Sequence, residues 1–320
     1  MGKFVSVVVC CYNMGEQLRE CLESLENQSY DNKEVIVVND GSTDDSIGVL
    51  QTFQDRMRGL MTVASNAANL GVAASRNVGI GLAKGDIIAF TDADCTADPD
   101  WLSELVKGYC DKDVAAVGGY IGDECCNNIW ERSERGHNYV ASSEGYVSYI
   151  QGCNMSFDAR VLRLHRFNQE IKYGYEEAML CDDLIKGGFR IWYNPKAKVH
   201  HKHRAILLGL LRQKYLRGYS SIWYRKRQGM SPMLKRHFLM LLCLLLLPGL
   251  AINAVFGYGA LICFALVVLG LLRDERLYGT KSMLEVLVTL PVMVGTEMAH
   301  FCGALAGVFV FRILEAGSKR

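Results

Sequence analysis

Apolar residues arrive along the first 120 positions in two rhythms. Short continuous runs at 5–11, 34–39 and 87–91 read as strands buried on both faces, and the stretches between them carry apolar side chains at helical spacing. In residues 16–27, Leu18, Cys21, Leu22 and Leu25 fall on one helical face. Another helix is predicted over 72–84, with Gly85 as its left-handed terminator. The polar turn Asp40-Gly41-Ser42-Thr43-Asp44 leads into a helix capped by Thr43 or Asp44, and Pro99 opens the next one. Strands at 114–120, 152–157 and 189–193 and a helix at 176–187 complete this part. The alternation predicts an open, mixed but mostly parallel α/β sheet flanked by helices.

The later pattern is different in kind. From 238 to 272 there are 35 residues without one Asp, Glu, Lys or Arg, whereas about 20 apolar residues suffice for a helix to cross a bilayer. They predict a hairpin of segments 238–256 and 257–272, turning near Asn253, with a charged loop at 273–281 after it. A third segment, 286–310, is long enough to span but carries Glu297 and His300. About three transmembrane helices are therefore expected.

Charge sharpens the division. Residues 1–183 hold 29 acids and 15 bases, and residues 184–320 hold 5 acids and 20 bases, so the net +1 conceals two unlike parts. That near-zero total points to no nucleic-acid partner. Between Lys196 and Arg236 stand 12 bases and no acid, interleaved with Leu207, Leu208, Leu210, Leu211, Tyr215, Ile222 and Trp223. This composition suits an amphipathic helix in the membrane interface, or else a solvated basic helix. The resulting domain expectation is 1–203, 204–236 and 237–320. The first apolar run is too short for a signal segment, and the positive-inside rule places the N-terminal part on the cytosolic side of a multi-pass cell-membrane protein. The doublets Cys10-Cys11 and Cys125-Cys126 lack CxxC spacing, so the 12 cysteines read as reduced.

In an open α/β sheet, ligands sit beyond the carboxyl ends of the strands. Three such ends are polar: Cys11-Tyr12-Asn13, Asp40-Gly41-Ser42 and Asp92-Ala93-Asp94. Tyr12 can flank a base, while Asp40 reads either as an acceptor for a base N–H or as a turn residue. Of Asp92 and Asp94, one carboxylate can face a divalent metal, Mg2+ or Mn2+, and the other a ribose hydroxyl. Arg76, behind Asn69-Leu70-Gly71, is either a phosphate partner or an exposed helical arginine. Glu176 and Glu177 begin a helix, as capping residues or as a general base. His200, His201 and His203 read as metal or phosphate ligands or as interfacial basic residues. With neither GxGxxG after the first strand nor GxxxxGK[ST], a dinucleotide oxidoreductase and a P-loop NTPase are disfavoured.

Taken together, residues 5–13, the 35–46 block with Asn39-Asp40-Gly41-Ser42, Asn69-Leu70-Gly71, Ala74-Ser75-Arg76-Asn77, Lys84-Gly85-Asp86 and Phe90-Thr91-Asp92-Ala93-Asp94 resemble family 2 glycosyltransferases over about residues 4–203. The resemblance implies a GT-A fold, a nucleotide-sugar donor, a divalent metal and single-displacement transfer with inversion. Tyr12, Asp40, Asn69, Arg76 and Asp92 resemble the donor side of the site. Asp94 resembles the metal ligand, with Asp92 and His200 as further candidates. Gly174-Tyr175-Glu176-Glu177 resembles the acidic base motif, with Glu177 where aspartate is usual. Cys10-Cys11 replaces a proline-containing strand end, and Gln213-Lys214-Tyr215-Leu216-Arg217 is out of register with the Gln-x-x-Arg-Trp of processive members. The expected protein is a non-processive, membrane-bound enzyme acting on a lipid-linked or glycan acceptor such as a polyprenyl phosphate. The competing readings are a non-catalytic membrane scaffold and a processive polysaccharide synthase.

Overall fold

A computed structural model describes residues 2–123, 128–134, 143–171, 173–203, 206–231, 233–248, 254–278 and 283–318. Contacts divide the chain into two compact units, the first comprising residues 1–124, 138–172 and 176–202 and the second comprising 125–137, 173–175 and 203–320.

The first unit is built on one sheet of nine described strands: β1 (Val5–Cys11), β2 (Lys33–Asn39), β3 (Met61–Ser65), β4 (Ile87–Asp92), β5 (Cys95–Ala97), β6 (Val114–Asp123), β7 (Gly145–Val147), β8 (Met155–Asp158) and β9 (Arg190–His201). Their order is β3-β2-β1-β4-β8-β6-β9-β5, with β7 paired to β9. Pairing is parallel from β3 through β4, and β8 enters antiparallel between β4 and β6. The sheet is therefore mixed, and parallel chiefly in its first half.

Alternation along β1 sorts the two cores. Val5, Val7, Val9 and Cys11 pack on one face with α1 (Gly15–Glu26), α2 (Ser46–Arg56) and α4 (Trp101–Lys107), while Val8 faces α3 (Val72–Leu82), α6 (Ala159–Leu164) and α7 (Glu176–Lys186). Both faces being covered explains why β1, β2 and β4 read as continuous apolar runs. It also brings the polar residues that end those three parallel strands to one edge of the sheet.

Three local expectations are corrected. Gly85 is not left-handed; a Cβ there would lie 2.6 Å from the Ser6 nitrogen and 2.8 Å from the Phe4 oxygen, so close backbone approach requires the glycine. The strand predicted at 189–193 is the first part of a longer one, β9, which runs to His201 and whose pairing with β6 jumps from Asn194 to Lys198 at a bulge. Asn154 closes that bulge, its Nδ2 donating to the Tyr120 and Ala197 carbonyls at 2.8 Å each. The edge strand β3 was not anticipated.

In the second unit the described helices are α5 (Ile129–Glu134), α8 (Leu207–Arg227), α9 (Lys235–Leu246), α10 (Ala254–Tyr278) and α11 (Met283–Ser318). The basic stretch is helical in α8, but it does not lie alone. Cβ atoms at Gly218, Gly303 and Gly307 would come within 2.0 Å of the His300 oxygen, 1.8 Å of the Tyr215 oxygen and 2.8 Å of the Tyr219 oxygen, respectively. Small residues thus let α8 and α11 pack backbone against backbone.

The expectation of three transmembrane helices is not met among the described residues. One segment, Val288–Val310, is long and apolar enough to cross a membrane, and Gly257–Arg273 is apolar but shorter. Helix α9 has 12 residues, about 18 Å of rise against a hydrocarbon core of about 30 Å. Helix α10 continues to Tyr278 through the expected 273–281 loop. Asn253 and the Cys125-Cys126 doublet lie outside the described residues; the ten described cysteines are free.

Candidate functional site

At the edge where β1, β2 and β4 end, one carboxylate organises a whole loop. Asp40 is 4% exposed; its Oδ1 accepts from Asn66 Nδ2 at 2.7 Å and from the Leu70 N–H at 2.9 Å, and its Oδ2 from the Gly71 N–H at 2.9 Å. Asp40 therefore positions the turn carrying Asn69, which is exposed, and leaves only part of its acceptor capacity for a ligand. Across from it, Asn13 adopts a left-handed φ of 53° and its Oδ1 accepts the Thr43 N–H at 2.7 Å. Tyr12, beside it, is 43% exposed, as a residue that stacks on a ligand must be.

Arg76 is placed otherwise than a free phosphate partner. It is 3% exposed; Nη1 donates to Glu176 Oε1 at 2.5 Å, and Nη2 donates to Asp92 Oδ1 at 3.1 Å and to the Gly152 carbonyl at 3.2 Å. The guanidinium also lies over the Phe167 ring, 5.5 Å from its centroid. A planar fork with fixed donors suits this triple attachment. Arg76 thus ties the end of β4, the loop before β8 and the first residue of α7 into one assembly, and Gly152 leaves room for it.

The two glutamates at the start of α7 are buried and differently held. Glu176 faces Arg76, whereas Glu177 Oε1 accepts from the Tyr149 hydroxyl at 2.9 Å. The second oxygen of each is buried without a hydrogen-bond partner. Burial and the adjacent Glu177 charge push Glu176 up to about 8, with Arg76 acting in the opposite direction. Gly174 and Tyr175, at φ 84° and 71°, immediately precede the helix, and the left-handed tyrosine is a strained conformation of the kind that functional sites retain.

Beyond Asp92 the chain turns into β5, whose antiparallel pairing sets Cys95 opposite His201. That register brings His201 Nε2 to 3.5 Å from Asp94 Oδ1, and Cys95 Sγ lies 3.8 Å from the same oxygen. His200 points elsewhere, with Nε2 2.9 Å from Asp98 Oδ1. The imidazole brought to Asp94 is therefore His201 and not His200, because neighbouring strand residues face opposite sides. Asp94, Cys95 and His201 each offer a donor atom within 4.8 Å of the others. The Asp94 carboxylate and the His201 imidazole are a donor pair that fits a divalent ion such as Mn2+ or Mg2+.

Sequence reasoning missed Tyr149 and the Gly152 carbonyl, and it put His200 ahead of its neighbour His201 as the metal ligand. The strand alternation across 199–201 carried a signal for His201; nothing local marks Tyr149.

The sequence profile described as glycosyl transferase family 2 matches residues 6–173. An uncharacterized glycosyltransferase of Haemophilus influenzae is 33% identical over 213 residues, covering 62% of this chain and 65% of its own length. A glucosyl-dolichyl phosphate glucuronosyltransferase of Haloferax volcanii is 31% identical over 239 residues, covering 68% of this chain and 75% of its own. Among solved structures, a mannosyltransferase from Pyrobaculum calidifontis in complex with GDP-Man and Mn2+ superposes with a TM-score of 0.59 at 19% identity, covering 96% of this chain and 87% of that one. That last likeness establishes the GT-A fold.

Proposed function

The chain belongs to glycosyl transferase family 2, and from that premise we propose that it moves a sugar from a nucleotide-sugar to a lipid-linked acceptor, by single displacement with inversion, at the cytosolic face of the cell membrane. The observation that carries this reading is the Arg76 guanidinium bridging Asp92 and Glu176. One buried cation fixes the Asp92-Ala93-Asp94 turn relative to the glutamate pair, so that the donor-phosphate end and the proton-accepting end of a transfer reaction are held in a single rigid frame.

In this reading Tyr12 flanks the donor base and the Asp40-held loop with Asn69 borders the nucleotide. Asp94 and His201 would hold the divalent ion, Mn2+ or Mg2+, which when bound offsets charge on the departing diphosphate. Glu177, oriented by Tyr149, accepts the proton of the acceptor hydroxyl, while Glu176 is committed to Arg76. A hydroxyl acceptor on a lipid-linked sugar matches a relative whose name specifies a glucosyl-dolichyl phosphate. Val288–Val310 and the shorter apolar stretch of α10 support membrane attachment, and the missing Gln-x-x-Arg-Trp supports a single addition.

The test uses the purified full-length chain with Mn2+, a panel of nucleotide-sugars, and a polyprenyl-phosphate-linked sugar as acceptor. Acceptor-dependent release of nucleoside diphosphate is expected, and Asp94→Ala should abolish it while leaving thermal stability close to wild type, since a carboxylate outside the core costs little to replace. Unchanged turnover of Asp94→Ala with Mn2+ would falsify the assignment of Asp94.

A further inference from the structure

Apart from Asp94, Cys95 and His201, the described residues bring metal-ligating atoms together in one other place, where His237, in the first turn of α9, meets Glu297 and His300 on α11. His237 is 1% exposed and Glu297 7%. His237 Nε2 is 3.1 Å from His300 Nδ1 and 3.2 Å from Glu297 Oε1, and one donor atom from each residue lies within 4.8 Å of the others. A tetrahedral zinc ion with bonds of about 2.05 Å separates its donors by about 3.3 Å, close to both measured edges. Glu297 Oε1 is buried, with Arg236 Nε 2.6 Å and His237 Nε2 3.2 Å from it. An ionised carboxylate in an apolar helix is expensive and marks a site by default.

We propose that His237, Glu297 and His300 form a three-ligand site for a divalent transition metal, zinc by its donor set, which links the start of α9 to the middle of α11. Two imidazoles and one carboxylate suit zinc better than magnesium or calcium. Arg236 serves as the outer partner that orients Glu297. Binding through His237 Nε2 places the ring proton on Nδ1, so the long 3.4 Å contact from the Leu234 N–H to Nδ1 opens when the ion enters. A fourth position is left for water. Nothing in the proposed transfer reaction uses these residues, and the site stands apart from Asp94 in sequence and in donor set.

The experiment uses full-length protein in detergent, stripped with chelator and reloaded with Zn2+ or with Co2+ as a coloured substitute, in wild type, Asp94→Ala, Glu297→Gln and His300→Ala. Elemental analysis of the wild type and of Asp94→Ala should find about one tightly held zinc per chain, and Co2+ should give the intense visible absorption of a tetrahedral site. Both signals should fall to background in Glu297→Gln and His300→Ala. Zinc should raise the melting temperature of wild type and of Asp94→Ala but not of the other two. Should His300→Ala fail to fold, Glu297→Gln, which preserves shape, carries the comparison. Absence of retained zinc and of a zinc-dependent melting shift in the wild type overturns the proposal and leaves an Arg236–Glu297 ion pair alone. Zinc lost with Asp94→Ala instead also overturns it, by assigning the metal to the first unit.

Discussion

Glu177 and its hydrogen-bond donor can be separated by mutation. Replacing the carboxylate by an amide, Glu177→Gln, keeps the shape of α7 but removes the proposed proton acceptor; kcat should fall by about 10²–10⁴-fold with donor affinity nearly unchanged. Tyr149→Phe removes only the 2.9 Å bond that orients the carboxylate, so its loss should be smaller and should appear in kcat more than in KM. A loss confined to donor binding in either variant would move Glu177 to the donor side. Glu176 makes a different prediction. Its pKa is raised from 4.5 to about 8, so between those values the folded protein holds a proton that the unfolded chain releases. Stability from this group is therefore complete below about pH 4.5 and is lost as pH rises through about 8. Melting temperature should decline from about pH 5 to about pH 8 in the wild type, and the decline should be shallower in Glu176→Gln. A parallel decline in both proteins would assign the pH dependence to other groups.

Elements differ in how plainly the sequence announces them, and the reason is burial. Val5–Cys11, Lys33–Asn39 and Ile87–Asp92 lie between two helical layers and carry consecutive apolar residues through their middles, which no loop or half-exposed strand imitates. Met61–Ser65 is an edge strand with exposed Thr62 and Ser65, so its pattern lacks that mark. In β9, the bulge after Asn194 interrupts the period and hides the strand's continuation to His201. The same alternation decides the site: Asp40, Asp94 and the glutamates were legible as residues at element ends, whereas the exchange of His200 for His201 depends on cross-strand register that no single strand encodes. The long helices show the converse, since the GxxxG-spaced Gly303 and Gly307 were visible in the sequence but their partner helix was not. Gly303→Ala should destabilise the second unit by about 1–3 kcal/mol, because its methyl would be forced onto the Tyr215 carbonyl. Gly295→Ala, on the same helix with nothing within 4 Å of its Cβ, should be neutral or stabilising by about 0.5–1 kcal/mol. Thermal unfolding of the two variants side by side reads the difference, and equal effects would show that helix propensity and not close approach governs α11.

The molecule as a whole joins an acidic sheet unit to a basic helical unit whose apolar stretches are long but unequal. Helix α8 ends on Arg225-Lys226-Arg227, where the negative end of the helix dipole favours cations, so these bases have a local reason to be there as well as a lipid-facing one. The two reasons make different predictions. If the bases gather an anionic lipid headgroup, each contributes on the order of 1 kcal/mol near an anionic surface, and the contribution fades beyond a Debye length of about 10 Å at 0.1 M salt. Neutralising all three should then leave the protein in the membrane fraction at high salt if, as proposed, the apolar helices hold it there, yet weaken transfer to a lipid-phosphate-linked acceptor and flatten the dependence of activity on salt. A short uncharged, soluble acceptor analogue should be used nearly as well by the triple variant as by the wild type. Helix stabilisation alone would instead lower activity on both acceptors by the same factor, with the salt dependence unchanged. Transfer measured on the two acceptors across a salt series, with membrane retention scored in parallel, distinguishes headgroup capture from simple support of α8.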